Sequence, residues 1–131
     1  MTNGIEEIGA RFKAFCPTTV ETARNYELFL VEKVLNAINR DVRLKPYLKE
    51  NPFPVSRLKI YLEFRTNKDF WYTDGSLDHV TLENNVLTYF RIKPAKVDTW
   101  REGQIVDLDP HFFANETFQD ALEASQNAPK Q

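Results

Sequence analysis

Glycine and cysteine are both scarce in this chain, and each shortage removes a class of function. Four glycines in 131 residues leave no glycine-rich loop of the kind that cradles a phosphate. Cys16 is the only cysteine, which excludes an intramolecular disulfide and a multi-cysteine metal cluster. No apolar run approaches the length of a membrane span. The net charge of −2 lacks the basic excess that nucleic-acid binding leaves on a sequence. The opening MTNGIEEIGA has no secretory signal. The default expectation is a soluble, cytoplasmic chain; an export signal replaced by Met1 to Gly4 is the alternative. No cofactor is implied.

What the chain has is apolar and aromatic. Hydrophobic residues make up 42%, with ten Phe and five Tyr, enough for a single domain over 1–131 with one aromatic-rich core. Residues 1–4 and 125–131 read as loose. The organising stretch runs from Ala37 to Phe64. Within it, Leu58, Ile60, Leu62 and Phe64 alternate with Arg57, Lys59, Tyr61, Glu63 and Arg65, which predicts a strand with one apolar face. Pro46, Pro52 and Pro54 break the chain just before it, and Tyr47, Leu48 and Phe53 are expected to peg that corner to the core.

Ahead of the corner, Ala23, Tyr26, Leu30, Val34 and Ile38 recur at helical spacing, widened by Val31 and Ala37, and predict a helix over Thr19 to Arg40. Thr18 and Glu21 fit a capping box at its start. Ile8, Ala10, Phe12 and Ala14 alternate over Glu7 to Cys16 as a short strand; a helical stripe of Ile5, Ile8 and Phe12 is the rival reading. Leu77 to Glu83 and Val86 to Ile92 read as a hairpin turning at Asn84-Asn85, since Asn tolerates positive φ. That register opposes Leu82 to Leu87, Val80 to Tyr89, His79 to Phe90, Thr81 to Thr88 and Asp78 to Arg91. Residues 95–111 read as irregular, anchored by Val97, Trp100, Ile105, Val106 and Leu108, with a turn at Asp109-Pro110. A short final helix starts near Asn115. The expected fold is α+β: an antiparallel sheet of about four to five strands with one long helix packed across it, in a cystatin-like or ferredoxin-like layout.

Four short patterns, Ala23-Arg24, Ile38-Asn39, Lys45-Pro46-Tyr47-Leu48 and Asn51-Pro52-Phe53, precede the alternating strand. In this order they resemble a group of small uncharacterised bacterial proteins, over roughly residues 20–92. The chain departs from that pattern at Asn51-Pro52, where one further residue is expected between Asn and Pro. The resemblance implies kinship and carries no activity.

Candidate chemistry is sparse. Asp107, Asp109 and His111 form D-x-D-x-H, two carboxylates and an imidazole at alternate positions that would face one cation or activate a water. The competing reading makes Asp109 a turn residue and His111 a surface or capping group. His79, beside Asp78 and near Asp74, suits general acid–base work or simple packing against Phe90. Cys16 lies just ahead of a helix start, where a thiolate would be favoured, or is a buried inert thiol. Phe70-Trp71-Tyr72 places three large rings in a row, and Trp71 and Tyr72, with Tyr61 and Phe90 on the outer sheet face, are candidate contact residues. The leading expectation is therefore a non-enzymatic interaction or assembly module of bacterial type, binding a second copy through the face bearing Tyr61 and Phe90 or another protein, with no nucleic acid and no membrane span. The alternatives are a small metal-dependent or acid–base enzyme using Asp107, Asp109 and His111, and a binder of a small apolar ligand between helix and sheet.

Overall fold

The computed structural model describes residues 4–70, 76–94 and 108–127. Strand β1 spans Ile8–Ala14, helix α1 Val20–Arg40, β2 Leu58–Phe64, β3 Leu77–Glu83, β4 Val86–Pro94, β5 Leu108–Thr117 and helix α2 Phe118–Asn127. The strands form one sheet in the order β1-β2-β3-β4-β5. The fold is α+β, with a mostly antiparallel sheet and one long helix. Strands β2 to β5 pair antiparallel, whereas β1 and β2 run parallel. The reason lies in α1: its 21 residues rise about 32 Å and carry the chain back along the sheet, so the next strand restarts from the same end. Five strands in sequence order exclude the interleaved ferredoxin-like layout, and the parallel pair departs from an all-antiparallel sheet on a helix.

Helix α1 begins one residue later than its capping pattern predicts. Thr19 is the cap, its Oγ1 accepting the Thr22 N–H at 3.3 Å. Thr18 is buried and donates its hydroxyl to the Cys16 carbonyl at 3.2 Å. The inward face is also rotated from the predicted stripe. Ala23, Glu27, Val31 and Ile38 are buried, while Tyr26 is 45% exposed. Steps of four from Ala23 select Glu27 and Val31, and Leu30 and Val34 are left half-buried on the flank.

The sheet meets this helix through Leu58, Ile60, Leu62 and Phe64 of β2, Leu77, Val80 and Leu82 of β3, and Leu87 and Tyr89 of β4, all buried. Burial along β2 alternates strictly, as its sequence predicts. In the corner, Leu48 and Phe53 are buried as expected, but Tyr47 is 64% exposed. Tyr47 belongs to a 3₁₀ turn, Lys45–Tyr47, and holds the chain through its backbone, its carbonyl accepting from Ile5 N–H at 2.6 Å. The Asn51–Pro52 peptide is cis. Beside it, the Asn39 amide satisfies both backbone groups of Phe53: Phe53 N–H donates to Oδ1 at 2.7 Å, and Nδ2 donates to the Phe53 carbonyl at 3.3 Å. Ile38-Asn39 and Asn51-Pro52-Phe53 are thus two halves of one contact.

The hairpin keeps its predicted register from Glu83 back to His79. Asn84 and Asn85 both take positive φ, as a primed two-residue turn requires. Arg91 opposes Leu77 and not Asp78, because a bulge inserts Asp78 as an extra residue. At the C-terminal end, the region read as irregular with a turn at Asp109-Pro110 enters β5 at Leu108. Proline suits an edge strand, and β5 is an edge of the sheet. Asn115 lies within β5 opposite Thr88. Thr117 caps α2, its Oγ1 accepting from Asp120 N–H at 3.0 Å, and α2 continues to Asn127 into the tail read as loose. Val97, Trp100, Ile105 and Val106 lie outside the described residues. Among those described, no helix is long and apolar enough to cross a membrane.

Candidate functional site

The face of the sheet away from α1 carries a row of stacked groups. Arg11 on β1 opposes Tyr61 on β2, and its guanidinium lies 4.9 Å from the Tyr61 ring centre, within cation–π range. The Tyr61 ring stacks with His79 at 5.4 Å, and His79 stacks with Phe90 at 4.2 Å, both at 13°. The pleat puts these side chains on one face of four adjacent strands. The bulge at Asp78 then turns that carboxylate toward its neighbour, and Oδ2 lies 2.7 Å from His79 Nδ1. Asp78 and His79 are both buried. The imidazole is clamped between two rings with one nitrogen engaged, an arrangement that packs and orients it.

Among the described residues, the edge of the sheet next to this row is open. The Ala14 carbonyl accepts from Arg65 N–H at 2.9 Å, so the backbone of Ala14 faces β2. Alternation turns the backbone groups of Gly9, Arg11 and Lys13 the other way, and no described strand pairs with them. Among the described residues, the edge is closed only ahead of β1. There Ile5 N–H donates to Tyr47 O, and Ile5 O accepts from Lys49 N–H at 3.0 Å. On the helix side of β1, Ile8, Ala10, Phe12 and Ala14 are half-buried. Phe12 borders a groove of about 350 Å³ along α1, lined by Leu30, Val34, Ala37 and Leu44 with Lys33 and Asp41. On the outer side, Lys13 pairs with Asp69 at 3.2 Å, and Glu7 pairs with Lys59 at 3.2 Å.

Two further polar groups lie inside the fold. Arg24 Nε donates to Glu116 Oε2 at 2.9 Å, and the Tyr89 hydroxyl donates to the same oxygen. This ties α1 to β4 and β5. Burial and the Glu116 carboxylate raise the Tyr89 pKa. Burial opposes the charge on Arg24, but Glu116 outweighs it and holds the guanidinium protonated. Glu27 is fully buried, and neither carboxyl oxygen has a hydrogen-bond partner among the described residues. Burial pushes its pKa up to about 9, so the group is a neutral acid at pH 7.

The residues singled out in the sequence fall in several places, and some lie outside the described residues. Tyr61 and Phe90 lie in one row, as their shared face predicts. Trp71, Tyr72, Asp74 and Asp107 lie outside the described residues. Asp109 and His111 occupy alternate positions of β5, opposite Lys93 and Arg91. Cys16 is half-buried, its Sγ 3.8 Å from Thr18 Oγ1. A second groove, of about 570 Å³, runs between α1 and α2 past Phe29 and Phe118. Sequence reasoning missed the open edge because alternation marks a strand without showing its neighbours. It missed Glu27 although the four-residue steps from Ala23 to Val31 pass through it. Comparison with family models, curated proteins and solved structures finds no match.

Proposed function

We propose that this protein is an interaction module that binds a partner by strand addition along β1. The observation that supports this most directly is the open edge itself: the backbone groups of Gly9, Arg11 and Lys13 face outward beside the groove at Phe12. An extended segment laid there gains main-chain hydrogen bonds, and its alternate side chains reach the apolar groove. Its remaining side chains fall beside Arg11 and Lys13, so acidic residues suit them. The row of Arg11, Tyr61, His79 and Phe90 stiffens the sheet behind the docking strand. Natural edge strands are commonly blunted by proline, bulges, covering loops or charged side chains; β1 contains no proline, its register with β2 is unbroken, and its charges, Arg11 and Lys13, are confined to the outer face.

A panel of short peptides alternating apolar with acidic, neutral or basic residues tests the proposal by fluorescence anisotropy and amide hydrogen exchange. The expected result is micromolar binding of the acidic members, with slowed exchange at Gly9, Arg11 and Lys13. Arg11→Pro, which removes one outward N–H, should weaken binding about tenfold or more. Absence of binding across the panel where the chain is monomeric, or binding indifferent to Arg11→Pro, would refute strand addition.

A further inference from the structure

The open edge is complementary to itself. We propose that its occupant is a second copy of this chain, with the two β1 strands antiparallel and Ala10 of each on the two-fold axis. This inference rests on the strand-addition reading and names the partner.

The backbone limits the possible registers. Only the odd-numbered residues of β1 turn their N–H and C=O outward, so an antiparallel partner must join odd residues to odd residues. Pairing stops ahead of Glu7, because Ile5 is already bonded to Tyr47 and Lys49. It stops after Lys13, the last outward-facing residue of β1. The midpoint of the usable stretch, Glu7 to Lys13, is Ala10. Laid against itself about that point, the stretch forms about eight backbone hydrogen bonds, two for each hydrogen-bonded pair.

The side chains favour the same register. On the outer face Glu7 meets Lys13 of the second copy, and Arg11 meets Gly9, so opposite charges pair and the arginines are kept apart. On the helix face Ile8 meets Phe12, and the small Ala10 meets its own copy across the axis. Moving the centre to Arg11 sets Arg11 against itself and Glu7 against Phe15. Moving it to Gly9 sets Phe12 against Glu6 and draws on the backbone of Ile5, which is occupied. With Ala10 at the centre, both copies of α1 lie on one side of a continuous sheet, and the groove beside Phe12 opens onto the joint. The contact is isologous, the commonest way for two identical chains to close.

Light scattering at micromolar concentration should give twice the 15.3 kDa chain mass. Arg11→Pro should give a monomer with unchanged circular dichroism. If that variant fails to fold, charge reversal replaces it: Lys13→Glu should weaken the dimer, and adding Glu7→Lys should restore it. The register is read by cross-linking. In a Cys16→Ser background, Ala10→Cys sits at a non-hydrogen-bonded pair with Cα atoms about 4.5 Å apart, within reach of a disulfide, and should cross-link under copper-phenanthroline oxidation. Arg11→Cys should not. A wild-type monomer throughout the micromolar range overturns self-pairing, and peptide protection of Gly9, Arg11 and Lys13 would then leave strand addition standing. A dimer that survives Arg11→Pro or the charge reversal, or that fails to cross-link through Ala10→Cys, also overturns it and moves the interface elsewhere, including the face of Tyr61 and Phe90.

Discussion

Glu27 is the residue whose chemistry departs furthest from its sequence. Its pKa stands near 9 in the fold, against 4.5 for the free group, so between those values the folded chain holds a proton that the unfolded chain releases. Its contribution is therefore most favourable to the fold below about pH 4.5 and is lost as pH rises toward 9, at up to ~1.4 kcal/mol per pH unit. Urea unfolding of the wild type should show lower stability at about pH 8 than at about pH 5.5, and Glu27→Gln should flatten that slope. Asn39 makes the opposite kind of contribution, since it satisfies the backbone of the buried Phe53 on both sides. Asn39→Ala leaves those groups without their partner and should cost about 1–3 kcal/mol, read as a lower urea midpoint with an unchanged slope. Neither role was legible in the sequence: a glutamate reads as surface until its depth is known, and Asn39 reads as a motif letter until Phe53 is placed against it.

At the scale of elements, strands with one buried face were the most legible. Strand β2 alternates because the helix covers one side of it only, and the hairpin register followed from a two-residue turn that Asn-Asn supports. Leu62→Ala, at the centre of that buried face, should lower stability by about 2–5 kcal/mol in equilibrium unfolding. The bulge at Asp78 was not legible, since an inserted residue leaves no mark on composition. Strand β5 was obscured by Asp109-Pro110, a turn signal in most settings that an edge strand tolerates. The partners of β1 were hidden for another reason: its direction is set by how far α1 carries the chain, and not by its own residues. The candidate site suffered from the same limit, because an edge is a property of what does not lie beside a strand.

At the scale of the molecule, self-association through β1 would make thermal stability depend on concentration. A ligand that binds only the folded state stabilises it by mass action, and here the ligand is another copy. The wild-type Tm should rise with each tenfold increase in protein, and Arg11→Pro should remove that dependence. The parallel pairing of β1 with β2 has a separate consequence for the order of assembly. Strands β2 and β3, and β3 and β4, meet as sequence neighbours, whereas β1 reaches β2 only after roughly forty residues of helix and corner have closed on themselves. Contacts so distant in sequence tend to form late and slow folding. The strand that bears the open edge is therefore expected to join its own sheet late, and its release would uncover β2 as a fresh edge.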